Sequence, residues 1–353
     1  MLPFTPHDTN STGSLFSLTM NDSRHGTPPA PPEPDSVCLP GPWRHRLVST
    51  NGIHLHTADL LPHNWEETHP PNELPPLVLL IHGYGENWWT WHNQLVPLSR
   101  AGYHAMAVDL RGYGDSDKPP RGYDLTTAAN DMAGLVRATG HRNVTVVGHG
   151  LGGTVGWTMA RMFRSGVTTL IAVDAPHPLT QRIDYMKQAF THATTVGPFL
   201  SAQIPRLPEW RMQQPHWIED YISHRTYNNW VDTPEGQEAL HIFSDALRIR
   251  HVSYCANEYL RWMGRSRLRA DGIRYNRKMT RRLALPVVAF RGEYDPVVSE
   301  DVLAGCKRYT ENFTIMTVPQ CGFYPQLENP QAFSTLLLQS LSGSPARINS
   351  SDD

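Results

Sequence analysis

The chain has 353 residues, a formal net charge of -2 and a pI near 6.8. This balance argues against a general affinity for nucleic acid, and no run of about 18 apolar residues predicts a transmembrane helix. The four cysteines Cys38, Cys255, Cys306 and Cys321 show no C-x-x-C spacing, so they predict reduced thiols in a cytoplasmic protein that has no metal site.

Both ends of the chain have a composition that is typical of disorder. Residues 1–42 are rich in Pro, Ser, Thr and Asn and poor in aliphatic side chains, and residues 343–353 are similar. Such segments bury too little apolar surface to offset the entropy of ordering. We predict a disordered N-terminal extension and a disordered tail.

Between the two ends, strands and helices alternate. The pair Asn51-Gly52 between two alternating runs predicts a β-hairpin with a type I′ turn. From Leu77 the chain predicts buried strands at "LVLLIHG", "HAMAVDL", "NVTVVG" and "TTLIAVDA", with helices between them. This order indicates a mostly parallel sheet that is flanked by helices.

The alternation stops at residues 177–283, a helical segment rich in Trp, Tyr and Arg, and resumes in residues 284–342. We therefore predict a core of residues 43–176 and 284–342 with an inserted helical lid. Such a lid is expected over the carboxyl ends of the strands, where ligands bind in open α/β sheets.

The lid carries the strongest local charge. Eleven Lys or Arg lie between Arg248 and Arg282, against only Glu258 and Asp271. This pattern is usual for a solvated helical face. The alternative is a docking surface for a protein partner or an anionic surface.

The stretch "GHGLGG", residues 148–153, fits the G-x-G-x-x-G pattern of dinucleotide-binding turns. It follows a predicted strand, and Asp174 at the end of the next strand is placed to hold a ribose hydroxyl. The unit lies deep in the chain, after other strands with turn motifs of their own. Dinucleotide binding is therefore kept only as a minor alternative.

These other motifs decide the interpretation. The chain contains, in order, "HGYGENWWTW" from His82, "DLRGYGDSDKP" from Asp109, "VVGHGLGG" from Val146, "RGEYDPVV" from Arg291 and "CGFYPQLENP" from Cys321. In this order they resemble the motifs of the α/β-hydrolase superfamily, specifically its bacterial epoxide-hydrolase and haloalkane-dehalogenase-like branch. The resemblance implies an α/β-hydrolase fold with the nucleophile on a sharp strand-to-helix turn, an acid after a late strand and a histidine before the last helix.

Two of the three catalytic positions implied by the resemblance are substituted. Gly150 stands where the nucleophile belongs, and Phe323 stands where the general-base histidine belongs. Asp295 matches the acid, but without a partner we expect it to bind backbone in its own loop. Gly85 also replaces a proline of the oxyanion turn, and Leu260 stands at a loosely matched lid-tyrosine position.

Other residues offer only weak substitutes for the triad. His149 adjoins Gly150, but its side chain is expected to turn away from the cavity. Asp174 can act as a base, and Cys321 lies two residues before Phe323, although a lone cysteine is commonly a small buried hydrophobe. His177 is expected to fix the start of the lid.

The same motifs predict a pocket. The candidate ligand-binding residues are Tyr84, Gly85, Trp88, Trp89, Leu151 and Phe323. The lid tryptophans Trp210, Trp217, Trp230 and Trp262 are candidates for its roof, or else core residues.

We predict from these features a catalytically inactive member of the superfamily that binds a hydrophobic, lipid-like or acyl ligand, without cofactor or metal, in a regulatory role. The alternative is an active epoxide or ester hydrolase that uses non-standard residues.

Overall fold

The computed structural model describes residues 30–70, 73–181, 193–214 and 216–342. Most of the predicted N-terminal extension and the predicted tail lie outside this range. Residues 34–39 fall in the segment that the sequence predicts to be disordered, and they contact the rest of the chain. A 3₁₀ helix spans Pro34–Val37, Val37 is buried, and its carbonyl accepts a hydrogen bond of 2.8 Å from Trp88 Nε1.

The described residues contain an eight-stranded sheet with the order β1-β2-β4-β3-β5-β6-β7-β8. The pairs β1/β2 and β2/β4 are antiparallel, and the remaining pairs are parallel. The mostly parallel sheet is therefore confirmed. The strands are β1 (Arg44–Thr50), β2 (Ile53–Leu60), β3 (Leu77–Ile81), β4 (His104–Val108), β5 (Val144–His149), β6 (Val167–Val173), β7 (Leu283–Gly292) and β8 (Thr310–Val318).

The predicted hairpin joins β1 and β2. Asn51 and Gly52 both have positive φ, 45° and 78°, as a type I′ turn requires. At the centre of the sheet, every residue of β3, β4 and β5 is buried. Helices on both faces of a parallel sheet produce this burial, which explains the unbroken apolar runs in the sequence.

Helices fill the connections between strands. Asp124 caps the helix that follows β4 by accepting the N–H of Thr127, and Ser299 caps the helix that follows β7 by accepting that of Val302. The helices outside the region between β6 and β7 are α1 (Trp65–Thr68), α2 (His92–Arg100), α3 (Leu125–Ala138), α4 (Leu151–Met162), α11 (Glu300–Ala304), α12 (Pro325–Glu328) and α13 (Pro330–Ser342).

The chain between β6 and β7, residues 174–282, is called the insertion here. Its described helices are α5 (Ala193–Ser201), α6 (Leu207–Met212), α7 (Trp217–Ser223), α8 (Pro234–Arg248), α9 (Val252–Arg265) and α10 (Ala270–Met279). Thr233 caps α8 just before Pro234, which has no N–H to lose at the first helical position. Among the described residues we find no helix with the length and apolar composition needed to cross a bilayer.

The strand order places the site. β3 and β5 are adjacent and parallel, so the turns that follow them meet at one edge of the sheet. After β3 the chain continues into β4 on one side of β3, and β5 lies on the other side. The order of the strands thus reverses at β3, and open α/β sheets bind ligands in the crevice at such a reversal.

Candidate functional site

Gly150 forms the sharp turn between β5 and α4. Its φ of 48° and ψ of -109° lie in a region that side chains rarely adopt, and its N–H donates to Val173 O at 3.0 Å. A Cβ at this position would lie 3.6 Å from Phe323 Cζ and 3.9 Å from Gly83 Cα. Space for a first side-chain atom is therefore present, but the chain supplies no reactive atom there.

Phe323 lies opposite this turn in a firmly held loop. Its N–H donates to Arg225 O at 2.8 Å, and its carbonyl oxygen accepts from His149 Nε2, also at 2.8 Å. The Glu328 carboxylate accepts the backbone N–H groups of Tyr227, Gly322 and Tyr324. The loop is thus fixed in place although the residue at its tip cannot transfer a proton.

Asp295 lies behind the cavity, after β7. Its carboxylate accepts the N–H groups of Val297 at 2.7 Å and Val298 at 3.1 Å, which is the backbone role predicted for it. Burial raises the pKa of Asp295, while hydrogen bonds from Asp174 and these N–H groups oppose the rise. These bonds favour the charged form of Asp295 over that of its neighbour.

Asp174 forms a buried carboxyl pair with Asp295. Burial and the charge of Asp295 hold the pKa of Asp174 well above its usual value of 3.8. Of the two carboxyl groups, Asp174 is therefore the one whose protonated form is favoured. Asp174 also has a positive φ of 46° at the end of β6. Its carboxyl group lines the cavity.

His149 belongs to a second buried pair, outside the cavity lining. Its Nδ1 lies 2.7 Å from Glu86 Oε1, and both side chains are almost fully buried. Burial opposes a charge on the imidazole, but Glu86 and the Phe323 carbonyl outweigh it and raise the pKa of His149. The side chain turns away from the cavity, as predicted, and ties the turn after β3 to the loop of Phe323.

A cavity of about 70 Å³ lies beneath the insertion. It is lined by Tyr84, Gly150, Leu151, Thr154, Asp174, Gln181, Pro198, Phe199, Tyr221, Arg225, Leu260, Met263, Val297, Val298 and Phe323. The cavity therefore joins the turns after β3, β5, β6 and β7 to helices of the insertion. A role of the insertion as a lid stays a prediction.

A family model described as the alpha/beta hydrolase fold matches residues 76–330. The chain belongs to the α/β-hydrolase fold family. Curated relatives include Epoxide hydrolase 3 of Xenopus tropicalis, 40% identical over 136 residues, or 38% of this chain and 36% of that protein. Epoxide hydrolase B of Mycobacterium tuberculosis is 31% identical over 134 residues, or 37% of this chain and 35% of that protein. The chain thus matches little more than a third of the length of these relatives.

Solved structures agree on the fold over a larger share of the chain. An epoxide hydrolase from an endophytic Streptomyces covers 86% of this chain and 96% of its own, with a TM-score of 0.70 and 23% identity. At this identity the likeness shows the fold alone. The predicted fold class and the epoxide-hydrolase-like resemblance are confirmed.

The glycines of "GHGLGG" serve packing in this α/β-hydrolase. A Cβ on Gly152 would collide with the carbonyl oxygens of Ile81 and His82, and a Cβ on Gly153 would collide with Ala175. Close approach of α4 to the sheet therefore explains these glycines. Asp174 is buried against Asp295. The features that suggested dinucleotide binding thus have another explanation.

Only some of the predicted ligand-binding residues lie at this cavity. Tyr84, Leu151 and Phe323 line the cavity, whereas Gly85 faces Trp217 and Ile218 of the insertion. Trp88 and Trp89 are core residues. Trp88 packs edge-on against Trp43 and His45, and Trp89 stacks on His92. A large aromatic side chain next to a turn motif can pack either into the cavity or into the core on the opposite side of the turn, and the sequence does not distinguish the two.

None of the four tryptophans considered as roof or core residues lines this cavity. Trp210 is 61% exposed, Trp230 and Trp262 are buried within the insertion, and Trp217 lines a second cavity instead. Tyr221 and Arg225 line both cavities and are not among the residues predicted from the sequence. Their i, i+4 spacing is a possible signal, since the guanidinium carbon of Arg225 lies 3.9 Å from the centre of the Tyr221 ring.

The other weak candidates have structural roles. Cys321 is buried, its thiol donates to Val318 O at 3.3 Å, and burial strongly raises its pKa. Burial lowers the pKa of His177 to about 3, and the neutral ring stacks on Tyr309 at the start of the insertion. Leu260 lines the cavity at the position compared with a tyrosine.

The basic stretch of the insertion is largely solvated. Arg265, Arg269, Arg274, Arg277, Lys278, Arg281 and Arg282 are exposed. Arg261 is buried instead and pairs with Glu209 and with Glu258, the latter at 3.0 Å. A docking role for the exposed face stays a prediction.

Proposed function

We propose that this chain is an α/β-hydrolase-fold protein that binds a small, mostly apolar molecule and does not use the nucleophile and base of its family. The observation that supports this proposal is the meeting of Gly150 and Phe323. The position for bond formation carries a hydrogen atom, and the position for proton transfer carries a phenyl ring. A triad in this fold needs a nucleophile, a base and an orienting acid, and only the acid is present.

The cavity lining indicates the chemistry of the ligand. Leu151, Leu260, Val297 and Phe323 supply apolar surface. The protonated form of the Asp174 carboxyl offers a hydrogen bond without a charge. This combination suits a ligand with an apolar body and one carbonyl or hydroxyl group, such as a short acyl compound.

A second cavity gives the ligand further room. It has a volume of about 260 Å³, lies among helices of the insertion, and shares Tyr84, Pro198, Tyr221 and Arg225 with the first cavity. We propose that a longer apolar tail extends past these residues. The insertion would then respond to the ligand, which is the basis for a regulatory role.

Binding is tested on the full chain with hexanoic acid and hexanol as probes, by calorimetry, and by mass spectrometry of small molecules that co-purify. The Leu260→Trp variant fills the cavity and is expected to weaken binding at least about 10-fold. Leu268 is 92% exposed on the same insertion, so Leu268→Trp is the matched control and should bind as the wild type does. Equal affinity in both variants would contradict the proposed site.

The Asp174–Asp295 pair favours a second candidate function, hydrolysis of small epoxides by these two acids. Asp174 would give its proton to the epoxide oxygen while the oxygen of water bonds to the ring carbon and the ring C–O bond breaks. The proton that the water loses would return to the pair, and the product is a diol. This reaction needs no covalent intermediate.

Turnover separates the two candidates. Styrene oxide and 4-nitrophenyl butyrate are offered to the wild type and to Asp174→Asn. Rates at background for both proteins support the binding function. Turnover well above background that Asp174→Asn abolishes would establish the second candidate and overturn the first.

A further inference from the structure

Three side chains outside the cavity converge on one point. Cys38 follows the first 3₁₀ helix. His45 on β1 pairs with Ala58, so it is the diagonal neighbour of His56 on β2, and the two rings stack. Cys38 Sγ lies 3.6 Å from His56 Nε2, and His45 Nδ1 lies 3.0 Å from the same nitrogen. One sulfur and two ring nitrogens thus lie within 4.8 Å of one another.

Both imidazoles are held by their other nitrogen. His56 Nδ1 lies 2.8 Å from Asp109 Oδ2, and His45 Nε2 lies 2.8 Å from the carbonyl oxygen of Leu39. A carboxylate or carbonyl on the second nitrogen is the usual support of a metal-binding histidine, because it fixes the ring orientation and the tautomer. Each ring therefore directs its remaining nitrogen toward Cys38.

Two of the three ligand–ligand distances are close to those of a tetrahedral zinc centre, and the third, between Cys38 and His45, is at most 4.8 Å. With zinc–sulfur bonds near 2.3 Å and zinc–nitrogen bonds near 2.0–2.1 Å, a ligand sulfur and nitrogen lie about 3.6 Å apart and two nitrogens about 3.3 Å apart. The Cys38–His56 distance agrees, and the His45–His56 distance needs an opening of a few tenths of an ångström. Thiolate and imidazole are also the ligand types that zinc prefers.

Access to the cluster is also suitable. Cys38 is half-buried, whereas the other three cysteines are buried. His45 is half-buried and His56 is buried. A metal ion can thus enter from the solvent side, and three protein ligands leave a fourth position for water.

We propose that Cys38, His45 and His56 bind one zinc ion, which fastens residues 34–39 to the hairpin of β1 and β2. The role is structural. Asp109 also accepts the backbone N–H of Trp88 at 2.8 Å, and Trp88 packs against His45. The ion therefore supports the outer side of the turn whose Tyr84 lines the cavity.

Zinc must compete with a proton at this site. The thiol of Cys38 must lose its proton to bind zinc as a thiolate, and the imidazoles bind it only in their neutral form. Binding therefore releases protons to the buffer, as expected when a metal displaces them from its ligands.

The full chain without a histidine tag is titrated with Zn²⁺ by calorimetry in the presence of a competing chelator, and with Co²⁺ by absorption spectroscopy. We expect one ion per chain and a near-ultraviolet thiolate-to-cobalt absorption band. Cys38→Ser and His45→Gln should each weaken Zn²⁺ binding at least about 100-fold, because even changes to residues that only support metal ligands cost about 10- to 100-fold. Cys38→Ser should also abolish the band.

His54→Gln is the matched control. His54 lies two residues from His56 on β2, but it is exposed and pairs with Asp117 at 3.1 Å. This variant should bind Zn²⁺ as the wild type does. Binding below one equivalent in the wild type overturns the proposal. The proposal is also overturned if Cys38→Ser leaves the Zn²⁺ affinity unchanged, or if His54→Gln lowers the Zn²⁺ affinity as much as Cys38→Ser does. Circular dichroism confirms that each variant is folded.

Discussion

His149 Nε2 donates a hydrogen bond of 2.8 Å to the carbonyl oxygen of Phe323. The residue before Gly150 is thereby joined to the residue that we predict to stand at the position of the catalytic histidine. Glu86, on the turn after β3, holds the other ring nitrogen. Three loops at the predicted site are thus fixed to one another.

Restoring both missing side chains is expected to restore chemistry. In the Gly150→Asp, Phe323→His double variant, a carboxylate can attack an epoxide carbon and a base can activate the water that releases the product. We expect kcat/KM for styrene oxide to exceed that of the wild type by at least about 100-fold, the lower end of what a general base contributes. Steady-state kinetics provides the measurement.

The single variants are the controls for this rescue. Gly150→Asp alone should form a covalent adduct that mass spectrometry detects, with little turnover, and Phe323→His alone should be inactive. The backbone at Gly150 makes the Asp cost about 1–3 kcal/mol of unfolding free energy. A folded double variant without adduct or turnover would mean that the cavity itself no longer accepts the substrate.

Asp174→Asn is expected to stabilise the protein at neutral pH. The folded state holds a proton on Asp174 that the unfolded state releases above its usual pKa of 3.8, so this residue lowers stability as the pH rises from there toward the folded pKa. Asn has no acidic proton to lose, and it tolerates the positive φ. Denaturant unfolding across the pH range measures the gain.

Asp295→Asn is the matched comparison. Its carboxylate accepts two backbone N–H groups, and an amide has one acceptor oxygen for them. We expect a loss of about 1–3 kcal/mol, the cost of an unsatisfied buried group. Equal effects of the two variants would contradict the assignment of the favoured protonated form to Asp174.

Glu86→Gln is expected to destabilise the protein by about 3–5 kcal/mol at low pH, because it leaves a buried imidazolium without its counter-charge. The raised pKa of His149 contributes stability below the usual value of 6.5, and this contribution is lost as the pH rises through the folded pKa. The difference between wild type and variant should therefore shrink with rising pH. A difference that stays constant or grows in urea titrations would contradict a charged His149.

Gly152→Ala is expected to destabilise the fold by at least about 1–3 kcal/mol, because the added methyl group meets the carbonyl oxygens of Ile81 and His82. Gly197→Ala is the control, since a Cβ there meets no atom within 4 Å. Removing a helical glycine should stabilise by about 0.4–1 kcal/mol. Thermal unfolding of both variants provides the comparison, and a neutral Gly152→Ala would count against the close packing of α4.

The strands, turns and helices that depend on the local sequence pattern could be predicted. The hairpin at Asn51-Gly52, the buried strands β3 and β5, and the helix that opens at Pro330 follow from turn chemistry and periodicity within a few residues. The point at which the ordered chain begins was harder to predict from the sequence. Residues 34–39 have a loop-like composition, and what orders them is contact with Trp88 and the hairpin, far along the chain.

The sequence by itself determined the fold class and the absence of a reactive atom at Gly150 and Phe323. From the order of motifs along the chain we predict that these two residues stand at the catalytic positions, and this prediction needs no knowledge of side-chain packing. Only the tertiary structure decided which side chains meet. The pairs Asp174–Asp295 and Glu86–His149 and the cluster of Cys38, His45 and His56 join residues from separate elements. Their spacing in the sequence carries no sign of contact, since strand order and burial bring them together.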